Sequence, residues 1–369
     1  VVIQLILAPK AHATTYNLSP SPAPGECNLN DAIEAINNQA VTGGCSAGTS
    51  SNTINFASGT HNLSAPPIVT FDGDLSILDG NGLTGFSFNP SSGSYTLTLT
   101  NLTLQNFTNS DTGTVLFSGK GSISLDHLLI HDNTCIASIS VCAFFVNYDT
   151  SIDQHISLTN SAIYSNSSLA IIASISAGEG STGNVFMNII NNTFYGNDGS
   201  IIALENDMPG SAINLNFVNN TVSHNNFFET NGWLLVYVAE GASVNTYAKN
   251  NIFDNNIGND APNNCGSFAF TSQGGNISND DTCNAFFTNT NDKNSTDPKL
   301  ALPAFINGTY ILALNSDSPA IDNGLAGGLT PSADQRGMAR PQGSAPDSGS
   351  YEYYIAVPGL PNTGMGSSA

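Results

Sequence analysis

The chain has 369 residues, of which 40% are hydrophobic and 9% charged, so it can bury a large core and is not composed like a disordered protein. Its 28 acidic and 7 basic residues give a formal net charge of −21 at pH 7. Phosphates and anionic surfaces are bound through clustered Lys and Arg. This charge therefore excludes nucleic acid as a partner and disfavours anionic membranes and polyanionic glycans.

The first segment has the features of the end of a secretory signal peptide. Val1–Leu7 is a short apolar run, and Ala11-His12-Ala13 is a small-x-small cleavage site. We predict that residues 1–13 are a signal-peptide remnant and that residues 14–26 are a linker. The alternative is that Val1–Leu7 forms a buried first strand. The sequence has no apolar stretch of about 18 residues or more, so we predict no membrane span.

The six cysteines also favour export, because disulfides persist in oxidising compartments. Sequential pairing closes the shortest loops, and we favour it over the other connectivities. It predicts the disulfides Cys27–Cys45, Cys135–Cys142 and Cys265–Cys283. Zinc binding is the alternative, but no pair has the close spacing of a structural zinc site.

Residues 27–37 predict a short amphipathic helix. Asn28 is a natural N-cap, and Asp31 lies near the first turn, where a carboxylate is favourable. The residues that share its apolar face are Leu29, Ala32, Ile33 and Ile36. Such a helix would cover the end of a β-solenoid, whose strand edges and core would otherwise be exposed.

The middle of the chain repeats one pattern six times, at intervals of 26, 33, 31, 28 and 30 residues. Each copy has an apolar pair, a third apolar residue five places later and usually an Asn three places after that. The leading pairs are Leu97/Leu99, Ile123/Leu125, Ile156/Leu158, Met187/Ile189, Leu215/Phe217 and a degraded Asn245/Tyr247. The copies end at Leu104 with Asn106, then at Ile130–Asn133, Ile163–Asn166, Phe194–Asn197, Val222–Asn225 and Ile252–Asn255. A period in this range is typical of solenoid proteins.

The residues within each copy favour a parallel β-helix. Alternation such as Ile123-Ser-Leu125 is strand periodicity, and Asn pairs such as Asn191-Asn192 suit turns because Asn tolerates left-handed dihedrals. A leucine-rich repeat is the alternative, and residues 125–133 fit its template. The second Leu of that template is replaced in the other copies by Ser161, Asn192, Asn220 and Asn250. We therefore predict an all-β, right-handed parallel β-helix over residues 27–295, with a short N-terminal capping helix.

Two segments resemble elements of bacterial surface β-helix proteins. Residues 27–37 resemble the CSLREA-type motif at the start of such proteins, with departures at Asn28, Asn30, Asp31 and Ile36. Residues 296–352 are similar to the choice-of-anchor Q module. The matching stretches are Asp297–Leu300, Ser318–Asp322, Asp334–Gly337, Arg340-Pro341 and Asp347–Glu352. This resemblance implies that residues 296–352 form C-terminal coils and a cap.

The chain has only two arginines, Arg336 and Arg340, and both lie in this C-terminal stretch. Together with Asp322, Asp334 and Asp347, they could be taken for a catalytic cluster. Bidentate Arg–carboxylate pairs are commonly structural. We therefore predict ion pairs that lock the last coil and its cap.

Residues 353–369 form a predicted linker that contains a sorting motif. Leu360, Pro361, Asn362, Thr363 and Gly364 match the LPxTG signal read by sortases. The resemblance implies an extracellular bacterial protein anchored to the cell wall, with a sortase and peptidoglycan as its partners.

The sequence predicts no catalytic, cofactor-binding or metal-binding residues. A lyase acting on uronates needs a base together with Arg, Lys or calcium, yet residues 14–335 contain no Arg and only Lys120, Lys249, Lys293 and Lys299. A hydrolase of neutral glycans needs only two carboxylates, for which Asp72/Asp74 and Glu205/Asp207 are candidates. Calcium binding at Asp254–Asp260 is left open.

These observations together predict a non-catalytic surface protein, adhesive or structural, that contacts a neutral glycan or another cell surface. The alternative is a secreted polysaccharide hydrolase that acts on a neutral glycan.

Overall fold

A computed structural model describes most of the chain. The described residues are 14–19, 21–48, 52–56, 61–63, 68–83, 86–88, 94–109, 115–118, 120–135, 141–148, 153–177, 183–207, 209–227 and 232–354. The predicted signal-peptide remnant, residues 1–13, and the sorting motif, Leu360–Gly364, lie outside them.

The coils stack their strands into three parallel ladders. The first ladder contains Lys120–Asp126, Gln154–Thr159, Val185–Ile190, Ala212–Val218, Ser243–Lys249 and Thr271–Ser272. The second contains Thr14–Leu18, Asn52–Phe56, Leu129–His131, Ala162–Tyr164, Thr193–Tyr195, Thr221–Ser223, Ile252–Asp254 and Ile277–Ser278. Two long strands, Ile68–Leu83 and Ser94–Asn109, run through both.

The third ladder holds strands of more variable length. It contains His61–Leu63, Phe86–Phe88, Val115–Ser118, Thr134–Cys135, Val141–Tyr148, Ser167–Ala177, Asp198–Asn206, Asn226–Phe227, Leu234–Val238 and Ile257–Gly258, the last paired with Ala261–Pro262. Residues Thr14–Leu18, which the sequence analysis assigned to a linker, are therefore the first strand of the second ladder. The predicted parallel β-helix is confirmed.

Alternating side chains from each ladder point into one core. Along the first ladder Ile123, Ile156 and Met187 lie in register and are buried. Each apolar side chain of this size contributes about 1.5–3 kcal/mol when it leaves water. The ladder walls are therefore held by apolar stacking as well as by backbone hydrogen bonds.

The turns between ladders are held by buried asparagine ladders. At the turn from the second to the third ladder, each Nδ2 donates to the Oδ1 of the next Asn at 2.9–3.0 Å. The members are Asn133, Asn166, Asn197, Asn225, Asn256 and Asn264. A second set, Asn192, Asn220, Asn251 and Asn276, forms the same kind of bonds at 2.9–3.2 Å between the first and second ladders. The preceding residues Asn191, Asn219 and Asn250 have positive φ, as the turn prediction requires.

The last repeat lies one residue later than the sequence pattern placed it. Phe253, and not Ile252, is in register with Val222, and Asn225 donates to Asn256, 31 residues on. Ile252 is also buried, in a second apolar cluster with Ile277 and Leu314. Two adjacent buried apolar residues made the register ambiguous, and a slip of one residue exchanges the two faces of a strand.

The predicted N-terminal helix spans Leu29–Asn38 and is confirmed. The Asn28 side chain caps it by accepting the Asp31 N–H at 3.0 Å. Its buried residues are Leu29, Ala32, Ile33, Ala35 and Ile36, and it packs against the strands of the first coils. Among the described residues no helix is long and apolar enough to cross a membrane.

Residues 296–354, here called the flanking segment, run back along the side of the stack instead of adding coils to its end. The segment contains a small antiparallel hairpin, Ala304–Ile306 with Thr309–Ile311. Outward polar groups at the coil turns hold it: Thr193 Oγ1 donates to Gln335 at 2.6 Å, and Asn219 Nδ2 donates to the Asp347 carbonyl at 3.0 Å. The sequence predicts C-terminal coils and a cap for residues 296–352. The segment instead lies against the side of the stack, because polar side chains at the coil turns bind it there.

Candidate functional site

Outward side chains of the second ladder form an aromatic column. His131, Tyr164 and Tyr195 are in register on successive coils, and the His131 and Tyr164 rings stack at 4.7 Å. Tyr310 from the flanking segment lies 4.3 Å from the Tyr164 ring and 6.0 Å from the Tyr195 ring. These separations are those of favourable aromatic pairs. The column therefore joins the coils to the flanking segment.

Tyr195 also lines a cleft of about 510 Å³, which lies between the last coils and the flanking segment. The coil side of the cleft is formed by Tyr195, His224, Asp254 and Asn255. The opposite side is formed by Asp297, Lys299, Leu300, Ala301, Leu302, Pro303, Leu312, Asn315 and Asp317. The cleft thus combines one aromatic ring, an apolar wall and several carboxylates.

Asp254 is the most unusual group in this cleft. The residue is 5% exposed; its Oδ2 accepts a hydrogen bond from Ser223 Oγ at 3.3 Å, while its Oδ1 has no hydrogen-bond partner. Burial raises the pKa of Asp254, and the nearby Asp297 carboxylate raises it further, whereas His224 and the hydrogen bonds from Ser223 and Asn255 lower it. Buried polar atoms normally have partners, so the carboxylate of Asp254 is held beneath the cleft wall at a cost in stability.

Ser223 links Asp254 to His224 but does not form a nucleophilic triad. Ser223 Oγ lies 2.8 Å from His224 Nδ1. When Ser223 donates to Asp254, His224 Nδ1 must donate to Ser223, which fixes the imidazole tautomer. A triad places the imidazole between the hydroxyl and the carboxylate, with the hydroxyl open to substrate. Here the hydroxyl lies in the middle and is fully buried.

The only lysine in the described lining of the cleft is already paired. Lys299 Nζ lies 2.6 Å from Asp317 Oδ2, and this hydrogen bond lowers the pKa of Asp317. Beside them the flanking segment presents an apolar lip, in which Leu302 is 88% exposed and Phe305 is 61% exposed. The carboxylates of Asp254 and Asp297 remain without a matching lysine or arginine in this lining.

The structure brings together two of the three predicted cysteine pairs. Cys27–Cys45 and Cys265–Cys283 are disulfide-bonded, which confirms those two pairings. The side chains of Cys135 and Cys142 lie outside the described part, so their pairing stays a prediction.

The two arginines lie in the flanking segment, as part of its packing. Arg336 pairs with Asp334 through two nitrogens and lies over the Tyr351 ring at 3.6 Å. Arg340 is buried and pairs with Glu352 at 3.0 Å. The sequence instead predicts that the arginines also pair with Asp322 and Asp347. The carboxylates of both aspartates accept backbone N–H groups, from Ala345 and from Asp322 and Tyr353 respectively.

Of the two candidate carboxylate pairs from the sequence, Glu205/Asp207 does not have the geometry of a glycosidase site. Asp207 is within hydrogen-bonding reach of Glu205 and, after burial, is the main cause of its raised pKa. Catalytic carboxylates stand about 5–10 Å apart so that a sugar fits between them. The side chains of Asp72 and Asp74 lie outside the description.

The run Asp254–Asp260 does not converge on one point. Asp254 lines the cleft, while Asn256 belongs to a buried asparagine ladder. In the described part of the chain no group of three or more His, Cys, Asp or Glu side chains could hold a metal ion.

Sequence reasoning missed the cleft, because most of its wall comes from the flanking segment. The aromatic column could have been predicted from the sequence, because His131, Tyr164 and Tyr195 each directly follow the third apolar residue of a repeat. Tyr310 has no such repeat context.

Comparison with known proteins adds one structural likeness. No protein-family model matches the chain, and no curated protein is similar to it in sequence. The crystal structure of pectate lyase Pel9A is similar at 13% identity, covers 92% of this chain and 96% of its own, and has a TM-score of 0.32. A similarity at this TM-score supports no inference about catalytic activity.

Proposed function

We propose that the protein is an exported bacterial surface protein, anchored to the cell wall, whose β-helix binds a glycan without anionic groups in the cleft of the flank. Its role is adhesive or structural, and it does not turn its ligand over. The neutral glycan predicted from the sequence falls within this ligand class.

The Tyr195 ring, in a cleft that also holds the side-chain amides of Asn255 and Asn315, carries this proposal. Aromatic rings pack against the apolar faces of sugar rings, and side-chain amides donate to and accept from sugar hydroxyls. Anionic sugars are disfavoured, because Asp254 and Asp297 would repel them at short range. The two disulfides support export.

Isothermal titration with neutral oligosaccharides, such as cello-, xylo- and manno-hexaose, tests the binding role. We expect at least one to bind, with loss of binding in Tyr195→Ala. Tyr237→Ala removes an exposed tyrosine of the third ladder and should leave binding unchanged. If none of a broad glycan panel binds, the proposed function is wrong.

A hydrolase of neutral glycans is the second candidate, and one observation favours it. Burial raises the pKa of Asp254 beside the second carboxylate Asp297, as in the acid of a glycosidase pair. A reducing-sugar assay on neutral glycans and on polygalacturonate, with and without calcium, separates the candidates. The non-catalytic role predicts no release. Turnover that is abolished by Asp254→Asn would establish the hydrolase.

A further inference from the structure

The two ends of the β-helix are covered to different extents. At the first end the capping helix packs against the strands of the first coils. At the other end a loop closed by the Cys265–Cys283 disulfide places Phe270 against Trp233, with ring centroids 5.7 Å apart. Trp233 is completely buried. This cover therefore lies over the residue just before the strand Leu234–Val238 of the third ladder.

The strand Leu234–Val238 has one paired edge and one open edge. It pairs with Asp198–Asn206 of the preceding coil, and no other strand in the described part of the chain pairs with it. In a parallel pair, alternate residues direct their backbone N–H and C=O groups to opposite edges. Because Ile202 donates to the Trp233 carbonyl and Ala239 to the Asn206 carbonyl, the groups directed to the open edge can be assigned. They are those of Leu234, Val236 and Val238.

Apolar side chains of the same strand are exposed beside this edge. Val236 is in register with the core residue Leu204, so its side chain faces inward, yet it is only partly buried. Val238 lies on the same side and is 44% exposed, and Tyr237 is 60% exposed. Terminal repeats of a solenoid need a cover over their core. The open edge and the exposed side chains thus mark a place for one further strand.

We infer that this edge pairs with the same edge of a second copy of the chain, antiparallel about a two-fold axis that passes beside Val236. In that register Val236 of one copy lies opposite Val236 of the other, and Val238 lies opposite Leu234. Each N–H group at the open edge then meets a C=O group of the other copy. The exposed Val238 and Tyr237 would be covered in the same contact, which goes beyond the proposed function because no glycan takes part.

A second copy fits this edge better than a foreign strand. An extended foreign segment would satisfy the same backbone groups but would leave its own far edge open, whereas two identical edges close each other. Charge does not oppose the pairing, because the strand carries no charged residue. Glu205 lies on the preceding strand, away from the open edge, and Glu240 follows the strand. An antiparallel pair places the two Glu240 side chains at its opposite ends, and salt screens the remaining net charge beyond about 8 Å.

The first test is the mass of the full chain in solution, measured by sedimentation at concentrations up to about 1 mM, the weakest affinity of interest. We expect the mass to rise with concentration from 38.3 kDa towards twice that value. Val238→Lys places a charge at the edge and should keep the chain monomeric. Val41→Lys is the matched control, because Val41 is 74% exposed and lies near the capping helix at the other end. This control should dimerise like the native chain.

The second test is cross-linking at the two-fold axis. Opposite residues of a hydrogen-bonded antiparallel pair have Cα atoms about 5.5 Å apart, which a disulfide can span. Val236→Cys should therefore give a covalent dimer on mild oxidation. In Tyr237→Cys the two new thiols would lie on Cα atoms roughly 8 Å apart, which is too far. Both variants keep the six native cysteines, so any linkage through those would appear equally in both.

The outcomes separate the possible occupants of the edge. A chain that stays monomeric up to about 1 mM would overturn the inference. A dimer that persists in Val238→Lys, or equal cross-linking of the two cysteine variants, would place the interface elsewhere and also overturn it. A peptide of alternating Thr and Val is the remaining probe: a monomeric chain that binds this peptide takes a foreign strand instead of a second copy. Glycan binding in the cleft is measured independently of all these results.

Discussion

At the scale of single residues, the buried side-chain amide of Asn220 makes four hydrogen bonds. Its Nδ2 donates to the Ile189 carbonyl at 2.8 Å and to Asn251 Oδ1 at 3.2 Å. Its Oδ1 accepts the backbone N–H and the Nδ2 of Asn192, both at 3.0 Å. Asn220→Ala would leave several buried polar groups without partners, so we expect a loss of about 2–4 kcal/mol in unfolding free energy.

Urea denaturation measures that loss, and Asn245→Ala is the matched control. Asn245 makes a similar side-chain bond to Asn214 at 3.0 Å, but on the exposed face. Its loss should change the unfolding free energy by less than about 0.5 kcal/mol. Equal effects of the two substitutions would show that the buried asparagine ladders do not stabilise the turns.

Asp254 should lower the stability of the fold at neutral pH. Burial raises its folded-state pKa, so the folded protein keeps the proton while the unfolded chain releases it above about pH 4. The contribution of the protonated group is complete below that pH and is lost as pH rises towards the folded pKa. Asp254→Asn carries no charge, so the variant should be more stable than the native protein at about pH 7.

Urea midpoints at about pH 3 and about pH 7 test this. The advantage of Asp254→Asn should shrink at the lower pH, where the native carboxyl is protonated in both states. The exposed Asp281→Asn should show little dependence. A variant that is no more stable than the native protein at neutral pH would contradict the assignment of Asp254 as a buried carboxylate that destabilises the fold.

At the scale of elements, the flanking segment depends on Arg340. Its guanidinium donates to Glu352 at 3.0 Å and to the carbonyls of Asp347 and Gly349 at 2.9 and 2.8 Å. Arg340→Ala leaves Glu352 buried and uncompensated, which costs about 3–5 kcal/mol. We expect the segment to loosen from the coils, which limited trypsin digestion would detect as faster cleavage after Lys299.

The exposed pair of the same segment provides the comparison. Asp317→Ala breaks the Lys299 ion pair, whose members are 43% and 69% exposed, and should leave the stability of the fold nearly unchanged because solvent screens the pair. Trypsin sensitivity should then stay near that of the native protein. Cleavage of Arg340→Ala at the native rate would mean that Asn and Thr contacts alone hold the segment.

At the scale of the whole molecule, sequence periodicity predicted the features that depend on residues close together in the chain. The capping helix and the ladder positions of Ile123, Ile156 and Met187 follow from side-chain alternation, and the confirmed turns follow from asparagine chemistry. The flanking segment could not be found this way. Its contacts join residues such as Asn219 and Asp347, which lie 128 positions apart, and depend on single hydrogen bonds without a period. The cleft was missed for the same reason, since it forms only where coil and segment meet.

The last prediction concerns where the whole molecule is held, and it rests on Leu360–Gly364. By its resemblance to the sorting signal, a sortase should cut between Thr363 and Gly364 and join Thr363 to a cell-wall amine. The described fold ends at Tyr354, and residues 355–359 reach at most about 20 Å to Leu360. The cleft would then stand close to the wall surface, where short-range capture of glycans is useful.

Expression of the complete gene in a sortase-bearing bacterium, followed by cell-wall fractionation, measures the outcome. The native form and Asn362→Ala, at the variable position of the motif, should be wall-bound, whereas Thr363→Ala should be released. Equal wall retention of all three forms would show that the motif does not anchor the protein.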